Sequence, residues 1–211
     1  MKVWRCLIVL ILSLAAAACG ATRPAKYYQL EIPAPAPAAA GAAFSVALQV
    51  GNIESSPIMR DGRILYQTGT HEVGAYEYHR WVETPDRFVQ DSLVRLLRSS
   101  GRFQSVDTGR NIIKPNYIVQ GKIYEFAEVD KPQVFSRVSL EIELHDGKTG
   151  RTVWSKIYTN EEAVDGKEIP DVVHSLDQNL GHGLSQIVAG LDQYFAGVAS
   201  SSLSRACPRC F

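Results

Sequence analysis

Cys19 is the residue whose setting points most directly to a chemical fate. It follows Ala16-Ala17-Ala18 and precedes Gly20, at the end of an apolar run that begins at Cys6. Met1-Lys2-Val3-Trp4-Arg5, ahead of that run, carries positive charge at Lys2 and Arg5 and no acid. These are the charged and apolar regions of an export signal, too short to remain in a bilayer as a spanning helix. A peptidase that cuts in front of a lipid-bearing cysteine needs small residues at the two positions before the bond, where bulk would clash. The spacing predicts removal of residues 1–18 and lipid on the Cys19 sulfur, with Ala16 where leucine is usual. Ala16-x-Ala18 also suits the general signal peptidase at the same bond, so plain secretion is the alternative. A cysteine at the first mature position favours lipidation. Several acyl chains of the palmitate kind, at about 0.8 kcal/mol per buried methylene, hold a protein to a membrane where one chain is marginal.

The other residue types that could carry chemistry are less well placed for it. Cys207-Pro208-Arg209-Cys210 has redox spacing, but only Phe211 follows, so no helix is there to lower a thiol pKa. Zinc would need two further ligands. A local disulfide or an incidental tail is the plainer reading. His174 and His182 stand eight apart beside Asp171, Asp177 and Gln178, on what should be a wet helix face. Glu161, Glu162 and Asp165 read as a polar connector without a nucleophile. Gly147-Lys148-Thr149 lacks the earlier glycine of a phosphate loop, since Ile142 occupies that position, and reads as a turn. Trp81, Tyr66, Tyr76 and Tyr78 read as sheet packing. No catalytic residue, cofactor or metal site is expected, and the chain reads as no enzyme.

Hydrophobic periodicity supplies the elements that would carry these residues. Residues 19–26 read as a short polar tether, and Tyr27-Tyr28-Gln29-Leu30-Glu31-Ile32 as a first strand. A Pro/Ala spacer at 33–43 follows. Phe44 to Val50, Ile64 to Tyr66 and Ala75 to Trp81 read as strands. Thr84-Pro85 predicts a helix start, with a capping hydroxyl before proline, and Gly101 its end. Three strands should come next. Tyr117 to Glu128 is one, and Val138, Leu140, Ile142 and Leu144 alternate with polar residues in another. The third runs from Thr152 to Thr159. Val173, Leu176, Leu180, Leu184, Ile187, Leu191 and Phe195 then recur at helical spacing between about Pro170 and Val198. The order predicts one α+β domain over 27–198, a largely antiparallel sheet with two main helices on one face, and a flexible tail at 199–211.

Composition narrows the classes further. Of 22 Lys and Arg, Lys2 and Arg5 leave with the signal, against 22 Asp and Glu, for a net charge of −2. That gives no support to nucleic-acid binding, which shows as a basic excess. The mature 193 residues, 211 less 18, suit one medium domain.

The order of several motifs carries a resemblance. Tyr27-Tyr28-Gln29-Leu30 follows Cys19 within about ten residues and precedes the Pro/Ala spacer. Val46-Ala47-Leu48-Gln49-Val50-Gly51, Met59-Arg60-Asp61-Gly62-Arg63-Ile64-Leu65-Tyr66 and Tyr78-His79-Arg80-Trp81-Val82-Glu83 then lead into the first helix. In this arrangement the chain resembles the auxiliary lipoproteins of ABC-type transport systems, the PqiC-like group associated with mammalian-cell-entry (MCE) domain proteins. The resemblance implies a Gram-negative envelope protein, anchored by lipid and facing the periplasm. It implies work beside an MCE-domain protein and an ABC permease in moving lipids or lipophilic compounds between the two membranes. Gly20, in place of an aspartate that retains lipoproteins at the inner membrane, points to the outer membrane. The role implied is docking rather than catalysis, and homo-oligomerisation is compatible with it. The rival expectation is an assembly lipoprotein of another envelope machine, for secretion or polysaccharide export. The Cys207-x-x-Cys210 tail is no part of the family pattern.

Overall fold

The computed structural model describes residues 23–32, 43–109 and 114–205. Cys19, the signal segment, Cys207 and Cys210 lie outside these residues, as does nearly all of the spacer. Eight strands form one sheet: β1 Lys26–Tyr28, β2 Phe44–Glu54, β3 Arg63–Thr68, β4 Glu72–Trp81, β5 Phe103–Asp107, β6 Tyr117–Asp130, β7 Val134–Asp146 and β8 Thr152–Ala163. The helices are α1 Pro57–Arg60, α2 Pro85–Ser99 and α3 Ile169–Arg205.

Strand β6 organises the sheet. β7 runs antiparallel along its full length, from Tyr117↔Asp146 to Asp130↔Val134. Its other edge is divided between two strands, both parallel to it. β2 takes the first half, Leu48↔Tyr117 to Glu54↔Lys122, and β3 the last turn of strand, Leu65↔Ala127 to Thr68↔Asp130. β5 extends β2, while β4 and then β1 extend β3. Four of the seven strand pairs among the described residues are thus parallel, although the long β6–β7–β8 ladders make the sheet largely antiparallel by paired residue.

The alternation in β7 has the expected consequence. Val138, Leu140, Ile142 and Leu144 are fully buried, and Leu176, Leu180, Leu184, Ile187 and Leu191 of α3 meet them from the same side. Val89, Leu93 and Leu97 of α2 complete the core. The protein is therefore a single α+β domain with its two main helices on one face of the sheet. A polar cluster fixes how α3 sits. Asn179, fully buried, donates to the Ser136 and Asn160 carbonyls at 3.1 and 3.2 Å and accepts from the Tyr158 hydroxyl at 2.8 Å. Ser175 donates to the Ser136 hydroxyl at 2.8 Å. Buried polar groups need such partners, so rotating α3 about its axis would strand all of them.

Four details differ from the sequence expectation. Strand β5 was not expected, because a five-residue edge strand that pairs only with β2 carries too short an alternation to register. Helix α1 is a single turn started by Pro57 and too short for any period. Thr84 does stand at the N-cap of α2 before Pro85, but its hydroxyl makes no capping bond. Finally, α3 continues to Arg205, so the first part of the tail predicted at 199–211 is helical. Ala, Ser and Leu in that stretch continue a helix readily and nothing there breaks it.

Two glycines of α3 separate packing from propensity. A Cβ on Gly181 would meet nothing within 4 Å, whereas one on Gly183 would fall 2.6 Å from the Tyr158 ring. That ring cannot swing aside, because its hydroxyl is tied to Asn179. Gly181→Ala should raise stability by about 0.5–1 kcal/mol. Gly183→Ala should lower it by roughly 1–3 kcal/mol through overpacking. Urea unfolding of the two variants reads both signs; shifts in the same direction would contradict this packing.

Candidate docking surface

With α2 and α3 on one side, the opposite face of the sheet is open. Near its centre a β-bulge between Ile123 and Glu125 leaves Tyr124 outside the ladder with β7. Its side chain is held upright by a 2.6 Å hydrogen bond from its hydroxyl to Glu141 and by the Lys122 ammonium 5.4 Å from its ring centre. Beside it, α1 delivers Ile58 and β4 delivers Val73. Ile58, Val73 and Tyr124 are 39%, 51% and 45% exposed, high for large apolar side chains. They border a cleft of about 250 Å³ floored by Met59, Leu65 and Ala127.

Charged groups rim this cleft and neutralise one another. Arg137 donates to Gln67 at 3.0 Å and to Glu125 at 3.2 Å through one guanidinium nitrogen, and to Glu161 through the other two. Lys131 reaches the second oxygen of Glu161 at 2.9 Å. Hydrogen bonds from Lys131 and Arg137 hold the Glu161 carboxyl below its usual range. The sequence reading of Glu161 and Glu162 as connector residues is therefore corrected. Both lie within β8, paired with Arg137 and Ser136, and only Asp165 is in the loop that follows. The stretch Thr159-Asn160-Glu161-Glu162 has no apolar residue, so its continuation of the strand carries no hydrophobic alternation.

The remaining chemical candidates fall apart in space. His174 and His182 are exposed on α3, and His182 Nδ1 lies 2.8 Å from Glu162. Among the described residues no three His, Cys, Asp or Glu side chains are grouped to hold a metal. In the turn after β7, Asp146 accepts hydrogen bonds from the backbone N–H groups of Lys148 and Thr149 at 3.1 and 2.7 Å. Those bonds depress its pKa and close the turn on itself. Trp81 is core, packed 5.6 Å from Phe126 by ring centres, and Tyr66 lies 4.8 Å from Tyr76.

One buried carboxylate had no sequence signal beyond its place in a strand. Glu128 is 7% exposed and accepts a 2.9 Å bond from the Tyr76 hydroxyl. Burial pushes its pKa up, against the lowering by that bond, and nearby Asp130 adds to the rise. A carboxyl whose folded pKa lies above its unfolded value binds the proton more tightly when folded, so it costs stability as pH rises through that range. Glu128→Gln keeps an acceptor for Tyr76 and removes the charge. Its unfolding midpoint relative to the parent should rise between pH 4 and pH 8; a parallel shift at both would contradict the assignment.

A family model for the ABC-type transport auxiliary lipoprotein component matches residues 28–188. The chain belongs to that family. The matched segment runs from the end of β1 into α3 and includes both walls of the open-face cleft. Protein XCC0632 from Xanthomonas campestris is similar in structure to this auxiliary lipoprotein, with a TM-score of 0.74 at 20% identity over 84% of this chain and 99% of that one. An uncharacterized protein gives 0.64 at 16% identity, over 80% and 99%. At such identities the likeness shows the fold. The PelC dodecamer of Paraburkholderia phytofirmans, at 15% identity over 71% and 91%, has a TM-score of 0.40 and adds nothing to that. Among curated proteins none matches the chain. The family accounts for a transport auxiliary component and for a lipoprotein.

Proposed function

We propose that the chain is the docking subunit of an MCE-type ABC transport system, anchored by lipid on Cys19 in the outer membrane and facing the periplasm. It performs no catalysis of its own. It holds the MCE-domain partner and its permease in register while lipids or lipophilic compounds pass between the membranes. The observation that carries this reading is an apolar cleft on an uncovered sheet face, bordered by Ile58, Val73 and Tyr124, in a member of the transport auxiliary lipoprotein family. Its rim charges already satisfy one another through Arg137 and Glu161, so a partner meets little desolvation cost there and gains mainly from apolar burial. Close attachment to the membrane raises the local concentration seen by a partner in the same envelope.

A photocrosslinking residue at Val73 or Tyr124, in cells carrying the full chain, reads the contact. The expected product is a crosslink to an MCE-domain protein, lost when the probe is moved to His174 on α3. Capture of a secretion channel or polysaccharide exporter instead would replace this reading with that of an assembly lipoprotein.

A further inference from the structure

The strand that leads out of the tether fixes which end of the domain meets the membrane. β1 pairs parallel to β4, with Lys26 opposite His79 and Tyr28 opposite Trp81. Followed backwards, the chain therefore heads towards the start of β4 at Glu72. Arg23 continues that course, its guanidinium 5.5 Å from the Tyr78 ring centre. The Tyr28 hydroxyl lies 2.9 Å from His79 Nδ1 with the two rings stacked, which pins β1 to this path. Four residue steps separate Arg23 from Cys19, a reach of at most about 14 Å.

The same end of the sheet collects two turns and a loop. Thr68 pairs with Asp130, and Asp130 with Val134, which sets the β3–β4 turn Gly69–His71 beside the β6–β7 turn Lys131–Gln133. Val164 donates to the Val134 carbonyl at 2.9 Å, bringing in the loop before α3. At the other end, one strand length away or roughly 45 Å along the 14 residues of β6, stand the Asp146–Gly150 turn and the aromatic cluster of Phe44, Phe103 and Phe195.

Between the β6–β7 turn and the loop before α3 opens a cleft of about 510 Å³. Its walls carry both signs of charge: Glu128 and Asp130 from β6, Lys131 from the turn and Lys167 from the loop. Lys131 is engaged by Glu161, but Asp130 and Lys167 make no ion pair among the described residues. Val134, Val164 and Pro132 supply apolar wall between them. The size lies in the range of small-ligand sites. A free acid and a free base facing one cleft complement a ligand that itself carries an ammonium and a phosphate. A surface of mixed charge also has no preference for an anionic membrane, which a polybasic patch would have.

We propose that this anchored pole rests on the bilayer that holds the Cys19 lipid, and that its cleft receives a zwitterionic ammonium-phosphate headgroup. Asp130 takes the ammonium and Lys167 the phosphate. The proposal rests on lipidation of Cys19, part of the function proposed above, but not on the identity of the protein partner.

The test uses the full lipidated chain with Cys207→Ser and Cys210→Ser, carrying a fluorophore on a cysteine at Gln133 or at Lys148. Reconstituted in phosphatidylethanolamine and phosphatidylglycerol vesicles with a headgroup quencher, the Gln133 site should be quenched several-fold more than the Lys148 site. Equal or reversed quenching overturns the orientation. Glycerophosphoethanolamine titrated against the Gln133 label should give a saturable change that Asp130→Asn weakens about tenfold or more. An equal response to glycerophosphate, or no effect of Asp130→Asn, overturns the headgroup assignment. The acyl mass on the N-terminal peptide is read first. If it is absent, the anchoring itself fails; if present without selective quenching, only this inference does.

Discussion

Replacing Cys19 with serine is expected to leave a soluble periplasmic protein or an uncut precursor, in either case with no acyl mass on the N-terminal peptide. On the proposed anchoring the free energy resides in the lipid, so a cut variant is expected to lose it entirely. At about 0.8 kcal/mol per buried methylene, two or three chains together are effectively permanent. No helix among the described residues is long and apolar enough to cross a membrane. Fractionation of cells expressing Cys19→Ser, with mass analysis of the N-terminal peptide, reads the outcome. Acyl mass on the variant, or recovery of a cut variant with membranes, would remove Cys19 from the anchor. The domain itself should be unaffected, so thermal unfolding of the soluble variant ought to match that of the parent in detergent.

The second large effect lies in the core. Leu184→Ala should cost about 2–5 kcal/mol, through lost transfer energy and an unfilled cavity. Leu184 is fully buried halfway along α3, with Leu180 and Ile187 on either side, so neighbours cannot collapse into the gap without moving the helix. Asn179 and Ser175 hold that helix to β7 and β8 and oppose such movement. For a domain of this size each kcal/mol lowers the melting temperature by about 2–4 °C. Thermal unfolding checks it, and an unchanged midpoint would mean that α3 does not seal the core as described.

Legibility followed the length of the pattern. β7 alternates over eight of its thirteen residues and α3 repeats its leucines over several turns, so burial on one face left only one period that fits each. β5 and α1 are five and four residues long, too short for a strand or helix period to repeat convincingly. The parallel pairing of β2 and β3 with β6 had no local signature, because register between distant strands is set by packing rather than by a turn. The open-face cleft was illegible for a related reason. Tyr124 falls inside the strand predicted from Tyr117 to Glu128, and only the bulge that ejects it from the ladder, together with α1 beside it, makes it a surface feature. Glu128 was equally hidden, since a glutamate at the end of a strand gives no hint of whether it turns inwards.

The divided edge of β6 has a consequence for how the chain acquires its structure. Every strand of the N-terminal half reaches the rest of the sheet through β2 or β3, and both wait for β6, some sixty residues later in the chain. The β6–β7–β8 meander, by contrast, closes through short turns. Loop closure favours the local contacts, so the meander is the natural nucleus and the earlier strands condense onto it afterwards. Synthesis presents them in the opposite order. The apolar residues Leu48, Val50, Ile53, Ile64 and Leu65 leave the ribosome before the strand that will bury them exists. Through that interval these residues stay unburied, and stalled translocation ahead of Tyr117 would lengthen the time in which two unpaired strands can find a wrong partner.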